Sequence, residues 1–231
     1  MSFPWNYHVR RMALEKSGEL KQKDMSVGIS LGWNCHTTTM AVQHGLRDLK
    51  ENGYKTCPFD LMVTNYEGVI QCLYDDFKDF TNPEYLKLVP VTNQMYLKDF
   101  PNNTDDMMLI NTKYKFCHNH ESVGHANLYI TENWPGGRTH STDNYYEKLI
   151  ERLIRRVQNF RDYINSGNHI NFLITDFDKN LTELHTCIKT MYPTLNYTIT
   201  RYDLETRHNE TAKEYFNRHM KEFSVDRLYI E

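Results

Sequence analysis

Cys35 occupies the setting in this chain best suited to covalent chemistry. It follows the apolar run from Met25 to Leu31 and the turn Gly32-Trp33-Asn34, and helix formers fill the positions from it to Lys50, before the turn Asn52-Gly53. The pattern predicts strand, turn and helix, with the thiol in the first helical turn. Unpaired backbone N–H groups and the positive end of the helix dipole there favour the thiolate, the form that attacks a carbonyl carbon. The same amides are placed to act as oxyanion donors. Position alone leaves a second reading open, in which Cys35 is a small buried hydrophobe, as free cysteines usually are.

Three further groupings carry chemistry. An apolar strand expected over Ile170 to Thr175 runs into Asp176-Phe177-Asp178. Hard carboxylate oxygens in that pattern suit Mg²⁺ or Mn²⁺ held against the diphosphate of a nucleotide sugar, so a metal-dependent glycosyltransferase is the alternative function. Asp178 or Asn180 serves equally as the N-cap of the next helix. Cys117, His118, His120 and His125 form a dense run with His140 nearby; these ligand types suit Zn²⁺, but the spacing matches no recurring zinc module. Arg152, Arg155 and Arg156, with Lys148 and Arg161, make the densest basic stretch, and interleaving with Glu147, Glu151 and Asp162 reads as a solvated helix face.

Three blocks of sequence add a resemblance. Ser30-Leu31-Gly32-Trp33-Asn34-Cys35, then Leu46-Arg47, then Pro58-Phe59-Asp60-Leu61, resembles the S-L-G-x-x-C … L-R … P-F-D-W pattern of a family catalogued as putative papain-like cysteine peptidases, with Leu61 where Trp is usual. Tyr114-Lys115-Phe116-Cys117-His118-Asn119 is similar to that family's aromatic-x-His-Asp stretch, with Asn119 in place of Asp, and the Tyr/Arg-rich stretch from Tyr145 to Phe160 also fits. The resemblance runs from Val27 to about Tyr197. It implies a cysteine-dependent hydrolase of the peptidase or amidase type. Cys35 would be the nucleophile, His118 the base, and Asp60 or Asn119 the group that orients the imidazole.

His120 is the rival base, two residues along on the same face of an extended segment. Gly32, Trp33, Asn34 and Arg47 are expected to border the substrate. Asp60 has a structural reading too, capping a nearby backbone N–H. The departures at Leu61 and Asn119 keep a non-catalytic interaction domain among the alternatives, and a thiol nucleophile serves thioesterase or acyltransferase chemistry equally well.

The elements that must position these residues alternate strand and helix. Helices are expected over about Asn65–Phe80, Asp143–Asn165, Asn180–Met191 and Thr211–Glu222, and strands over His169–Thr175 and Leu195–Tyr202, with a second apolar run at Cys57–Val63 continuing the βα pattern. Residues 1–24 read as an N-terminal extension. Residues 81–143, with Pro83, Pro90, Pro101 and Pro135, read as an irregular insert bordering the site, with short strands at Met95–Phe100 and Met107–Ile110. The fold class that follows is α/β: a single three-layer domain with a mostly parallel sheet, helices on both faces, and ligands at the carboxyl ends of the strands. Such a sheet differs from the two-lobed layout of papain itself.

Composition sets the outer bounds. Apolar residues are 39%, charged residues 25% and aromatics 13%, enough for a packed core and too apolar for disorder. A net charge of −3 lacks the basic footprint of a nucleic-acid binder, and no stretch approaches the length of a membrane span. Five scattered cysteines without a CxxC pair suggest reduced thiols and a cytoplasmic setting. The expected partner is a small-molecule, peptide or glycan substrate. The hydrolase reading needs no cofactor, and nothing in the pattern specifies an oligomeric state.

Overall fold

The computed structural model describes residues 26–32, 35–43, 45–90, 107–122, 136–175 and 180–202, and at 35, 36, 40, 43, 89, 90, 138, 175 and 202 the backbone alone. In chain order β1 (Ser26–Gly32) leads to α1 (Cys35–Gln43), a 3₁₀ turn (Lys50–Asn52) and α2 (Tyr66–Tyr74). Another 3₁₀ turn (Pro83–Tyr85) precedes β2 (Leu86–Pro90), β3 (Met107–Asn111), β4 (Phe116–Cys117) and the 3₁₀ turn Asn119–Glu121. After the turn Gly137–Thr139 come α3 (Asp143–Ile164), β5 (His169–Thr175), α4 (Thr182–Met191) and β6 (Tyr197–Tyr202).

The α/β class is realised as a parallel sheet in the order β1-β5-β6, accompanied by a small antiparallel sheet β2-β3-β4. Consecutive residues are buried along β1 (Ile29, Ser30, Leu31) and β5 (Phe172, Leu173, Ile174). Side chains alternate across a strand, so both faces of these two strands are covered, which is why they read as unbroken apolar runs. The antiparallel sheet lies within the segment expected to be irregular, where β3 confirms the short strand at Met107. The expected strand over Met95–Phe100, the expected helix over Thr211–Glu222 and residues 1–24 lie outside the described residues.

Three elements differ from expectation. The helix after Cys35 stops at Gln43, and Gly45, with φ of 69°, turns the chain away. The next helix stops at Tyr74, after which Asp76 and Phe77 adopt positive φ as the chain folds Phe77 into the core. The apolar run Cys57–Val63 is a compact turn rather than a strand. Pro58 has no N–H for a ladder, and the N–H of Cys57 is taken by the Asp60 carboxylate at 2.7 Å. Its apolar side chains are still buried, because Phe59 packs edge-on against Phe80 and Phe116 and tilted against Phe77, which meets Phe160 of α3 at 5.3 Å. Phe160 in turn meets Phe172 of β5, so this aromatic chain joins the turn to the parallel sheet.

The carboxyl end of β1 is shaped by a register slip against β5, between Ser30 and Gly32. Gly32 sits at φ 114°, a region open to glycine and strained for other residues, and a Cβ there would lie 1.7 Å from Thr64 Oγ1. Gly32→Ala is therefore expected to cost about 2 kcal/mol or more of unfolding free energy in urea denaturation. A loss under about 0.5 kcal/mol would show that this turn tolerates a side chain.

Candidate functional site

The site assembles around five consecutive residues, Asp60 to Thr64, which tie together the stretches Ser30–Cys35, Leu46–Arg47 and Tyr114–Asn119 singled out in the sequence. Thr64 Oγ1 donates to the carbonyl of Leu31 at 3.2 Å and packs against Gly32, fixing the end of β1. Cys35 then opens α1 directly beyond that strand end. Thr37 Oγ1 donates back to the Gly32 carbonyl at 2.8 Å, tying the first turn of α1 to the bulge. The side chains of Cys35 and His36, and residues Trp33 and Asn34 altogether, lie outside what the structure describes.

Asp60 joins the second block to α1. Its carboxylate accepts from Arg47 Nη1 at 2.8 Å, from the Tyr54 hydroxyl at 3.0 Å and from the Cys57 N–H at 2.7 Å. Its backbone carbonyl accepts from Thr38 Oγ1 at 2.7 Å, one helical turn along from Cys35. The Arg47 and Asp60 side chains are only 5% and 1% exposed. The guanidinium also lies 4.1 Å from the centroid of the Tyr54 ring. Burial works against the Arg47 charge, but Asp60 and Tyr54 together outweigh it and raise the guanidinium pKa above its ordinary value. Burial and the same carboxylate push the Tyr54 phenol and the Cys57 thiol well up.

Asp60 thus caps a backbone N–H, as its structural reading anticipated. Among the described residues its carboxylate orients no imidazole. Arg47, expected to border the substrate, is engaged by Asp60 and Tyr54.

Val63 brings in the Tyr114–Asn119 stretch. It exchanges two 2.9 Å backbone hydrogen bonds with Cys117, setting His118 beside the Asp60 turn. His118 is fully buried, its ring 5.9 Å from that of Phe80, and neither ring nitrogen has a hydrogen-bond partner. Burial lowers its pKa to about 4, the nearby Glu121 only partly opposing this and Arg156 adding to it. Asn119 is buried with its Oδ1 unpartnered. Burial, together with Arg156 and Lys50 and against the pull of Glu121, pushes the His120 imidazole below its ordinary range.

Glu121 was not anticipated. It is fully buried and accepts from Arg156 Nη2 at 2.8 Å and from Arg152 Nη1 at 3.3 Å. Burial opposes its charge, but Arg156, His118, Arg152 and His120 together hold its carboxyl below the ordinary range. The solvated face expected for Arg152, Arg155 and Arg156 holds for Arg155, which is exposed, and is corrected for Arg156, which is 4% exposed. A signal was present: Arg156 falls on the spacing of the buried stripe Leu149, Leu153, Val157, Phe160.

Among the described residues no group of three His, Cys, Asp or Glu side chains is arranged to hold a metal ion. His125, Asp176 and Asp178 lie outside the described residues. Cys117 is a protonated thiol, burial pushing it up to about 12. No helix among the described residues is long and apolar enough to cross a membrane.

A family model described as "Putative papain-like cysteine peptidase (DUF1796)" matches residues 26–197. No curated protein and no solved structure matches the chain.

Two measurements check this geometry. Asp60→Asn leaves the Arg47 charge buried without its counterion and should cost about 3–5 kcal/mol in urea denaturation; a loss below about 1 kcal/mol would remove the pair from its framing role. His118 yields a pH dependence. Between its ordinary 6.5 and about 4 the unfolded chain binds a proton that the folded chain does not. Stability should therefore fall as pH drops through that window, by on the order of 3 kcal/mol. His118→Phe should flatten this slope, and an unchanged slope would contradict the buried, neutral imidazole.

Proposed function

The chain belongs to that papain-like cysteine peptidase family, and from this premise we propose that it is a cysteine-dependent hydrolase of amide, ester or thioester bonds, with Cys35 as nucleophile. The observation that carries the reading is the placement of Cys35. It opens a nine-residue helix at the carboxyl end of a buried parallel strand, past a bulge that only glycine fits. Ligands of parallel α/β sheets collect at that edge, and first-turn amides favour a thiolate there.

The base takes the Cys35 proton, and the sulfur forms a bond to the acyl carbon, whose carbonyl π pair moves onto oxygen. First-turn N–H groups of α1 receive the oxyanion. Collapse breaks the bond to the leaving group, which takes the proton from the imidazolium. Water then attacks the thioester through the same base and restores the thiol.

His118 is the base this reading favours. It is neutral down to about pH 4, and its nitrogens lack partners although burying them unpaired is costly, a cost that a proton-transfer role accounts for. Arg47 and Asp60 act as positioning residues, holding the turn against α1. In this reading Asn119 is a candidate to orient the imidazole, and His120 is the rival base.

The test is the acyl-enzyme burst with p-nitrophenyl acetate. Cys35→Ala should abolish the burst while leaving the melting midpoint within about 2 °C of the wild type. A burst retained by Cys35→Ala would overturn the proposal.

A further inference from the structure

Lys50 and Lys55, together with Arg152, Arg155 and Arg156 of α3, line a cavity of about 710 Å³. Five cationic side chains line it against one carboxylate, Glu121, in a protein of net charge −3. Among the described residues Arg155 and Lys50 make no ion pair, and Lys55 reaches only Asp162, at 3.6 Å between two exposed groups. Crowding is visible in Lys50, whose pKa is lowered by burial and by Arg156, Arg152 and Arg47, against the pull of Asp60.

The interior end of the cavity is built rather than incidental. Arg156 is 4% exposed; its Nη2 is bonded to Glu121 and its Nη1 has no partner. Glu121 Oε1 receives both arginines and Oε2 none. A buried guanidinium fork half engaged by protein leaves its other edge for an external acceptor, and planar N–H pairs match phosphoryl oxygens. Leu61 and Tyr54 supply an apolar part of the wall.

We propose that this cavity binds a small molecule through a diphosphate group, its oxygens taken by Arg156 at the inner end and by Arg155 and Lys50 at the mouth. A single monoanion would leave most of the lining cations unneutralised, and the volume exceeds that of one inorganic ion. The inference stands on the cavity residues alone and not on the chemistry of Cys35.

Calorimetric titration of the full chain with inorganic pyrophosphate at low ionic strength tests it. Saturable one-to-one binding is expected. The double variant Lys50→Gln/Arg155→Gln, both exposed positions, should weaken it about tenfold or more with the melting midpoint unchanged. Leu61→Trp, which places a larger ring in the cavity, should weaken it as well. Adenosine diphosphate distinguishes the source of the group: tighter binding than pyrophosphate assigns a nucleotide, and equal binding assigns the bare diphosphate. Absence of saturable heat, or undiminished affinity in the double variant, would overturn the proposal.

Discussion

Removing the charges of Arg47 and Asp60 from water carries a desolvation cost of several kcal/mol per ion, and everything proposed for the site depends on how that cost is met. The structure meets it on the carboxylate side, while Arg47 Nε is left without a hydrogen-bond partner. The carboxylate accepts from a guanidinium, a phenol and a backbone amide, while the guanidinium lies over Tyr54, itself stacked on Tyr163 of α3. Because Asp60 also binds Thr38 through its carbonyl, the pair fixes the distance between α1 and the turn that carries Val63 and Thr64. The end of β1 and the His118 segment are hung on those two residues.

A second buried arginine–carboxylate pair, Arg156 with Glu121, differs in that its carboxylate is only half engaged. Its Nη1 and Oε2 are unpartnered, and His118 beside it has two unpartnered ring nitrogens. Buried polar groups are nearly always satisfied, so the saturated carboxylate of Asp60 reads as frame and the half-engaged one of Glu121 as a place where something else is received. Leu61 links the two regions, following Asp60 in the chain and lining the cavity of Glu121.

Much of this was legible in the sequence, and the exceptions have physical causes. β1 and β5 were visible because parallel strands covered on both faces must be apolar throughout. Cys57–Val63 is equally apolar, but burial does not distinguish a strand from a packed turn; the Asp and Pro within the run were the clue. Arg156 was assigned to solvent because charges on helices usually are, although its position in the apolar stripe pointed inward. Glu121 carried no local signal, since its partner lies 35 residues away in the chain. Asp60 was readable as both cap and orienter, and the three donors around its carboxylate include the backbone N–H of the cap reading.

The central claim is that Cys35 is an activated nucleophile, and iodoacetamide labelling of the native chain across pH, resolved by peptide mass spectrometry, tests it most directly. Burial pushes the thiols of Cys57 and Cys72 well up, and those of Cys117 and Cys187 up to about 12, so these four should remain unlabelled below the ordinary thiol value of about 8.5. The account predicts selective labelling of Cys35 well below that pH. A Cys35 that stays inert, or that labels only with the ordinary profile, would contradict it.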